Sequence, residues 1–130
     1  MLTKEIIEKI REICGKYQQI KLLYIFGSVA RGDEGPLSDY DFAVYLAEID
    51  RQKRFDMKLE LAGELSSLLK SDKVDVAVIN DTDNINLKYE IISDGKLIYE
   101  KMPFKILVEP KIMNEFFDFR AFLDKFQKTK

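Results

Sequence analysis

Apolar residues follow two different periods along this chain, and the two periods predict both helices and strands. After Thr3, which is suited to be an N-cap, apolar residues recur at helical spacing and give a first helix with one buried face: Ile6, Ile7, Ile10, Ile13, Cys14 and Tyr17. Short apolar runs bounded by polar or glycine residues predict four strands, at residues 22–26, 39–46, 73–79 and 96–99.

Helical patterns separate the later strands. Asp50 is expected to cap a long helix that reaches about Lys70 and packs through Phe55, Leu59, Ala62, Leu65 and Leu69, with Lys53, Arg54 and Lys58 on its solvent side. Asp81 or Asp83 is expected to cap a shorter helix through Leu87 and Ile91, which Gly95 ends. Strands that alternate with helices predict an α/β (α+β) fold, a small mixed sheet with helices packed on it.

The C-terminal segment is unusually rich in phenylalanine. Pro110 is a suitable first residue for a helix over about 110–128, and five of the nine phenylalanines fall there. Two interpretations stay open. The helix packs on the sheet or on the other helices, or part of its apolar face is a surface for a homo-oligomer or a partner protein.

Length and composition narrow the classes of protein. The 130 residues are 46% hydrophobic, which predicts one folded domain over 1–130. A net charge of −2 provides no basic field for a nucleic-acid backbone, which counts against a polymerase or a tRNA-tailing enzyme. A single cysteine and no histidine exclude an intrachain disulfide and any histidine-based site. With no signal peptide and no apolar stretch long enough to span a bilayer, a cytoplasmic location without membrane contact is expected.

Residues that could bind a ligand or take part in catalysis lie at the ends of the strands, at three places. Gly27 and Ser28 close the first strand as a turn that can offer backbone N–H groups and a hydroxyl to phosphate. Asp39 and Asp41 open the second strand, and their i, i+2 spacing puts both carboxylates on one face. Adjacent carboxylates repel unless a cation lies between them, and Mg²⁺ prefers such a pair together with phosphate oxygens.

Asp75 is a third acid, set among β-branched residues of the third strand. If that strand lies beside the one carrying Asp41, the three acids converge on one or two metal ions. Three carboxylates, a phosphate-binding turn and two metals are the parts that in-line nucleotidyl transfer needs. Arg31, in the loop after Ser28, is either a solvated charge or a bidentate contact to a triphosphate or a partner.

These residues resemble a known signature. The run from Gly27 to Gly32, followed by Ser38-Asp39-Tyr40-Asp41, is similar to the DNA polymerase β nucleotidyltransferase superfamily. More narrowly, it resembles the minimal nucleotidyltransferases (MNT), small prokaryotic proteins often paired with a HEPN-domain toxin. The resemblance covers a catalytic core of about residues 20–100, including the segment 92–99.

The resemblance implies an activity and roles for the site residues. It implies an antitoxin that transfers AMP from ATP, with two Mg²⁺ ions, to a tyrosine hydroxyl of a HEPN RNase and releases pyrophosphate, without binding nucleic acid directly. Asp39, Asp41 and Asp75 would be the catalytic metal ligands, and Gly27, Ser28 and Arg31 would hold the nucleotide. Two alternatives stay open: a binding module that masks a partner without catalysis, and a transferase acting on a small molecule such as an aminoglycoside.

Overall fold

The computed structural model describes residues 2–32 and 39–128, in which helices and strands alternate. Their order is α1 (Lys4–Gly15), β1 (Ile20–Phe26), α2 (Ser28–Arg31), β2 (Tyr40–Leu46), α3 (Arg51–Leu69), β3 (Val74–Val78), α4 (Ile85–Asp94), β4 (Lys96–Glu100) and α5 (Phe104–Lys128), with a 3₁₀ turn at Ile79–Asp81. Arg31, expected in a loop that continues to Pro36, is instead the last residue of α2, and residues 33–36 of that loop lie outside the described residues.

The four strands form one mixed sheet in the order β3–β2–β1–β4. β1 is antiparallel to both β2 and β4, and β2 is parallel to β3. Helix α3 connects the parallel pair, since parallel neighbours need a crossover rather than a tight turn. The mixed sheet expected from the alternating pattern is confirmed.

Helices cover both faces of the sheet. On one face, α1 and α3 pack against a cluster of buried residues that includes Ile10, Leu23, Phe42, Leu65 and Val76. On the other face, α4 and α5 pack against a second buried cluster that includes Leu22, Tyr24, Ala43, Ile91 and Ile112. Burial of both faces explains why the strands are nearly continuous apolar runs.

Side-chain caps begin α1, α3 and α4, and two of the three expected assignments are confirmed. Thr3 accepts a hydrogen bond from the N–H of Ile6 at the start of α1, and Asp50 accepts one from Gln52 at the start of α3. The expected cap of α4 is wrong: Asn84, rather than Asp81 or Asp83, accepts from the N–H of Leu87 at 3.1 Å.

Asp81 instead binds Arg54, so the expectation that Arg54 faces solvent is also wrong. The Arg54 guanidinium donates to Asp81 Oδ1 at 2.6 Å and to the carbonyl oxygens of Glu48 and Ile49, each at 2.8 Å. Only 13% of the Arg54 side chain is exposed. The pair joins the start of α3 to the 3₁₀ turn that follows β3, and so fixes the crossover at both ends.

The buried face of α3 differs in part from the expected one. Phe55 and Leu59 are 48% and 54% exposed, whereas Leu61 and Leu65 are buried. The helix carries two apolar stripes at helical spacing, and the stripe through Leu61 and Leu65 also includes Met57 and Leu68. Helical periodicity alone does not predict which of two overlapping apolar stripes is buried. Contact with the sheet buries the stripe through Leu61 and Leu65.

Gly95 ends α4, as expected, but for a steric reason. Its backbone is extended, with φ of −73°, and its N–H donates to the carbonyl oxygens of Glu90 and Ile91. A Cβ at this position would lie 2.2 Å from the carbonyl oxygen of Ile91. The chain therefore needs glycine here because α4 turns so closely into β4.

Helix α5 begins at Phe104, six residues before the expected start at Pro110, which lies inside the helix. Proline removes one backbone hydrogen bond in a helix interior. Packing holds this turn in place: Val108 and Ile112 are buried on either side of the proline. Tyr24 of β1 also donates a hydrogen bond to Glu109 at 2.6 Å.

The phenylalanines of α5 divide into two groups. Phe116 stacks on Tyr89 of α4 with ring centroids 3.9 Å apart, which confirms that the helix packs on its neighbours. Phe117, Phe122 and Phe126 are 53%, 63% and 58% exposed. A partner surface on this part of α5 therefore stays a prediction. Within the part of the chain that is described, no helix is both long and apolar enough to cross a membrane.

The two stripes of α3 give a matched test of the core. Leu61→Ala should lower the free energy of unfolding by about 2–5 kcal/mol, because it removes buried methyl groups and leaves a cavity. Leu59→Ala, on the exposed stripe of the same helix, should change it by less than about 0.5 kcal/mol. Urea denaturation of the two variants measures both values. Equal losses would contradict the assigned face.

Candidate active site

The turn after β1 requires glycine for its backbone conformation. Gly27 has φ of 75° and ψ of −153°, a region that residues with a side chain rarely adopt. Ser28 follows as the first residue of the short helix α2 and is half-buried. Arg31 is the last residue of α2 and is exposed, and its N–H donates to the carbonyl oxygen of Gly27 at 3.2 Å.

Gly27 also lies directly against a carboxylate. Phe26, the last residue of β1, is paired with Asp41 of β2, which brings the Asp41 side chain over the turn. A Cβ on Gly27 would lie 2.6 Å from Asp41 Oδ2, closer than real Cβ atoms come to an oxygen. The positive φ therefore requires glycine at this position, and any side chain there would also displace the Asp41 carboxylate.

Asp39 and Asp41 flank a tyrosine that belongs to the core. Tyr40 packs against the cluster beneath α1 and α3, so its neighbours along the strand direct their side chains to the opposite face. Asp41 is half-buried on that face, and Asp39, immediately before β2, is exposed. The shared direction expected from the i, i+2 spacing is therefore consistent with the strand.

Asp75 lies beside Asp41 across the parallel pair. The register joins Asp41 to Asp75 directly, and the preceding residues, Tyr40 and Val74, are paired in the same way. Paired residues in adjacent strands project to the same face of the sheet. Asp75 is exposed because β3 is the outer strand. The structure thus brings Asp75 beside the carboxylate that contacts the Gly27 turn.

The proximity of these acids appears in the titration of Asp41. Its pKa is raised, first by burial, then by the negative charges of Asp75, Asp39 and Glu90 in that order. Each charge disfavours ionisation of Asp41, as expected when carboxylates share a site. Asp75, Asp39 and Glu90 therefore each lie within electrostatic reach of Asp41.

Glu90 is a member of the site that the sequence did not indicate. It lies on α4, far along the chain from the strand acids, and no spacing connects it with them. Its neighbour Ile91 is fully buried against the sheet, which sets the position of Glu90 near Asp41. Only the packing of α4 on the sheet could have revealed it.

The acids are suitable ligands for Mg²⁺, although they do not form a complete coordination site by themselves. Among residues 2–32 and 39–128, no group of three acidic, cysteine or histidine side chains is close enough to hold a metal. Magnesium usually takes only one or two carboxylates and fills its other positions with water and substrate phosphate. Crowded carboxylates that raise the pKa of Asp41 are relieved by such a cation. The carboxylates of this site are therefore chemically suited to bind Mg²⁺.

The Gly27 turn lies against the carboxylate of Asp41, and Asp75 is paired beside Asp41 on a mixed sheet, an arrangement that suits a nucleotidyltransferase. The family model described as "Polymerase beta, Nucleotidyltransferase" matches residues 8–103. The chain belongs to this family, and the family resemblance found in its sequence is confirmed.

Individual relatives agree with this assignment. The chain is 28% identical over 107 residues to the protein adenylyltransferase MntA of Aphanizomenon flos-aquae, an alignment that spans 75% of this chain and 68% of the relative. A crystal structure of a toxin–antitoxin with AMP-PNP superposes with a TM-score of 0.73 at 24% identity, covering 98% of each chain. A tri-AMPylated Shewanella oneidensis HEPN toxin in complex with MNT antitoxin gives 0.71 at 22%, again covering 98% of each. These structural similarities show the fold.

Substitution of Gly27 tests the contact with Asp41. Gly27→Ala should reduce the rate of nucleotidyl transfer by about 10²-fold, because a displaced carboxylate no longer meets the reacting groups at the required geometry. Gly63→Ala is the matched control, since a Cβ there meets nothing within 4 Å. The control should keep full activity and gain about 0.5–1 kcal/mol of stability. Full activity in Gly27→Ala would contradict the contact.

The raised pKa of Asp41 has a consequence for stability. The folded state binds this proton more tightly than the unfolded state, so stability falls as the pH rises from the ordinary aspartate pKa through the raised value. Asp41→Asn removes that loss and should raise the Tm by about 1–3 °C at pH 7.5, allowing for solvent screening, but not at about pH 3.5. Thermal melts across this range measure it. The exposed acid Asp124 provides the control, Asp124→Asn.

Proposed function

We propose that this protein is an adenylyltransferase that moves AMP from ATP to a tyrosine hydroxyl of a HEPN-domain toxin and thereby acts as its antitoxin. The observation that carries the proposal is the placement of Asp75 beside Asp41, which itself lies directly against the Gly27 turn. A phosphate-binding turn and two adjacent carboxylates are what transfer of a nucleotidyl group requires.

The donor is held at the turn. The first N–H groups of α2 lack partners within the helix, and together with the Ser28 hydroxyl they can donate to the β and γ phosphates of ATP. Arg31, exposed at the end of α2, is within the same turn and can add a charge-assisted contact to the triphosphate. These contacts orient the bond that breaks.

The acids have two proposed roles, to bind the metal and to accept a proton. Asp39 and Asp41 would hold Mg²⁺, which when bound neutralises negative charge on the triphosphate. Asp75 would accept the proton of the acceptor hydroxyl. The hydroxyl oxygen then forms a bond to the α-phosphorus while the bond from that phosphorus to the bridging oxygen breaks. The electron pair leaves with pyrophosphate, and AMP stays on the acceptor.

Two similar proteins support the identity of donor and acceptor. The Aphanizomenon relative is named a protein adenylyltransferase, which supports AMP as the transferred group and a protein as the acceptor. One similar structure contains an AMPylated HEPN toxin in complex with an MNT antitoxin, which supports a HEPN protein as the partner. The exposed acid Asp75 is compatible with an acceptor as large as a protein, because it lies on the outer strand.

A second function, masking of a partner without catalysis, is favoured by one observation. Phe117, Phe122 and Phe126 are each more than half exposed on α5. Large apolar side chains exposed on one helix are typical of an interaction surface. One protein can both bind a partner through α5 and catalyse transfer at Asp41. An experiment is therefore needed to distinguish masking from catalysis.

The separating experiment uses a variant that lacks the acids. Wild type, incubated with ATP, Mg²⁺ and a HEPN-domain protein encoded beside it, should add about one AMP or a small multiple to that protein, as measured by intact mass. Asp39→Asn with Asp41→Asn should reduce this transfer at least about 10³-fold, because charge on the triphosphate is no longer neutralised. The same variant should no longer relieve toxicity in cells.

The control carries two substitutions on the opposite face of the sheet, Glu12→Gln and Glu60→Gln, which change the net charge by the same amount. It should transfer AMP at the wild-type rate. A stable complex without added mass or pyrophosphate release in the wild type would overturn the proposed transfer and leave masking as the function. Relief of toxicity by the acid-deficient variant would have the same meaning.

A further inference from the structure

Among the described residues, no strand pairs with the outer edge of β3. β3 is the last strand of the sheet, and among the described strands only β2 pairs with it. Asp75 is the second residue of this strand, so the acid next to the reacting hydroxyl lies on an edge that another strand could still join. Unpaired edge groups are a template for an added strand.

A groove lies between the start of α3 and the end of β3. Its volume is about 340 Å³, and it is lined by Arg51, Phe55, Lys58, Ala77, Val78, Asp81 and Thr82. Phe55 is 48% exposed, and the Lys58 ammonium lies 5.8 Å from the centre of its ring.

The charges of the groove are predominantly positive. Asp81 is the one acid among these lining residues, and the Arg54 guanidinium binds that carboxylate at 2.6 Å. Arg51 is 4.0 Å from Asp81 and its side chain is 81% exposed. Arg51 and Lys58 therefore give a cationic rim above an apolar floor, in a chain whose net charge is −2. This combination suits an acidic side chain next to apolar ones.

The groove lies close to the reacting centre. Ala77 and Val78 follow Asp75 by two and three residues along β3. With a rise of about 3.3 Å per residue, this separation is about 7–10 Å. An extended chain paired with β3 would span it with three residues, and a side chain three positions along it projects to the opposite face, the one covered by α3.

We propose that the acceptor polypeptide adds to the outer edge of β3 as an extended strand. Its hydroxyl residue lies at Asp75, and an acidic side chain three residues away, on the opposite face of the added strand, lies in the groove between Arg51 and Lys58. Main-chain hydrogen bonds to β3 would supply affinity, and the groove would supply specificity. This docking rests on the proposed function, because it assumes a protein acceptor.

Charge reversal at the rim tests the docking. Arg51→Glu with Lys58→Glu should raise the KM for the HEPN-domain protein about tenfold or more, with kcat and ATP binding unchanged. Lys53→Glu is the matched control, because Lys53 lies on the opposite side of α3 from the groove at about 100° per residue. It should change the KM less than about twofold. Thermal melts verify that all variants are folded.

Hydrogen exchange measures the docking without catalysis. Adding the HEPN-domain protein to Asp39→Asn/Asp41→Asn should slow exchange of amides in β3, and the added substitutions at Arg51 and Lys58 should abolish that protection. Transfer by the wild type with an unchanged KM in the rim variant would overturn the docking alone. No transfer by the wild type would overturn the proposed function, and absence of β3 protection would then overturn the docking separately. Protection of β3 by raising the concentration of this chain alone would assign the edge to a second copy and overturn the docking of an acceptor there.

Discussion

The absence of a side chain at Gly27 is the constraint on which the site depends. The carboxylate of Asp41 occupies the space that a Cβ would take, at 2.6 Å from its ideal position. The antiparallel register of Phe26 with Asp41 enforces this proximity. The turn proposed to face the phosphates and the acid proposed to face the metal are therefore packed against each other, and a side chain on the turn would displace the acid.

The ionised carboxylate of Asp41 is electrostatically unfavourable in this position. Burial and three nearby acids all disfavour the charge on Asp41, so the site lowers the stability of the fold at neutral pH. The sheet supplies the compensating stability, because buried clusters lie on both of its faces. Two polar contacts add rigidity around it: Tyr24 with Glu109 holds α5 on β1, and Arg54 with Asp81 holds the crossover. Functional strain of this kind is usually supported by the surrounding structure.

The parts of the site that are local in sequence could be predicted, and the parts that depend on packing could not. Gly27, Asp41 and Asp75 lie at strand ends, where alternation and turn chemistry are readable from neighbouring residues. Glu90 joins them only because α4 packs across the sheet. The buried face of α3 depended on which of two apolar stripes meets the strands, and the start of α5 depended on contacts of Val108 and Ile112 that outweigh the proline. Binding of Mg²⁺ by the acids stays a prediction.

The parallel register between Asp41 and Asp75 limits where insertions and deletions can occur in this sequence. Side chains alternate between the two faces of a strand, so one residue inserted within β3 ahead of Asp75 would turn its carboxylate into the opposite layer. The chain between Leu69 and Val74 has no such alternation to preserve, so a change of length there costs less than one within β3, although Lys73 accepts a hydrogen bond from Tyr40. Descendants of this sequence should therefore accumulate insertions and deletions in that connection, while the spacing from the start of β3 to Asp75 stays invariant.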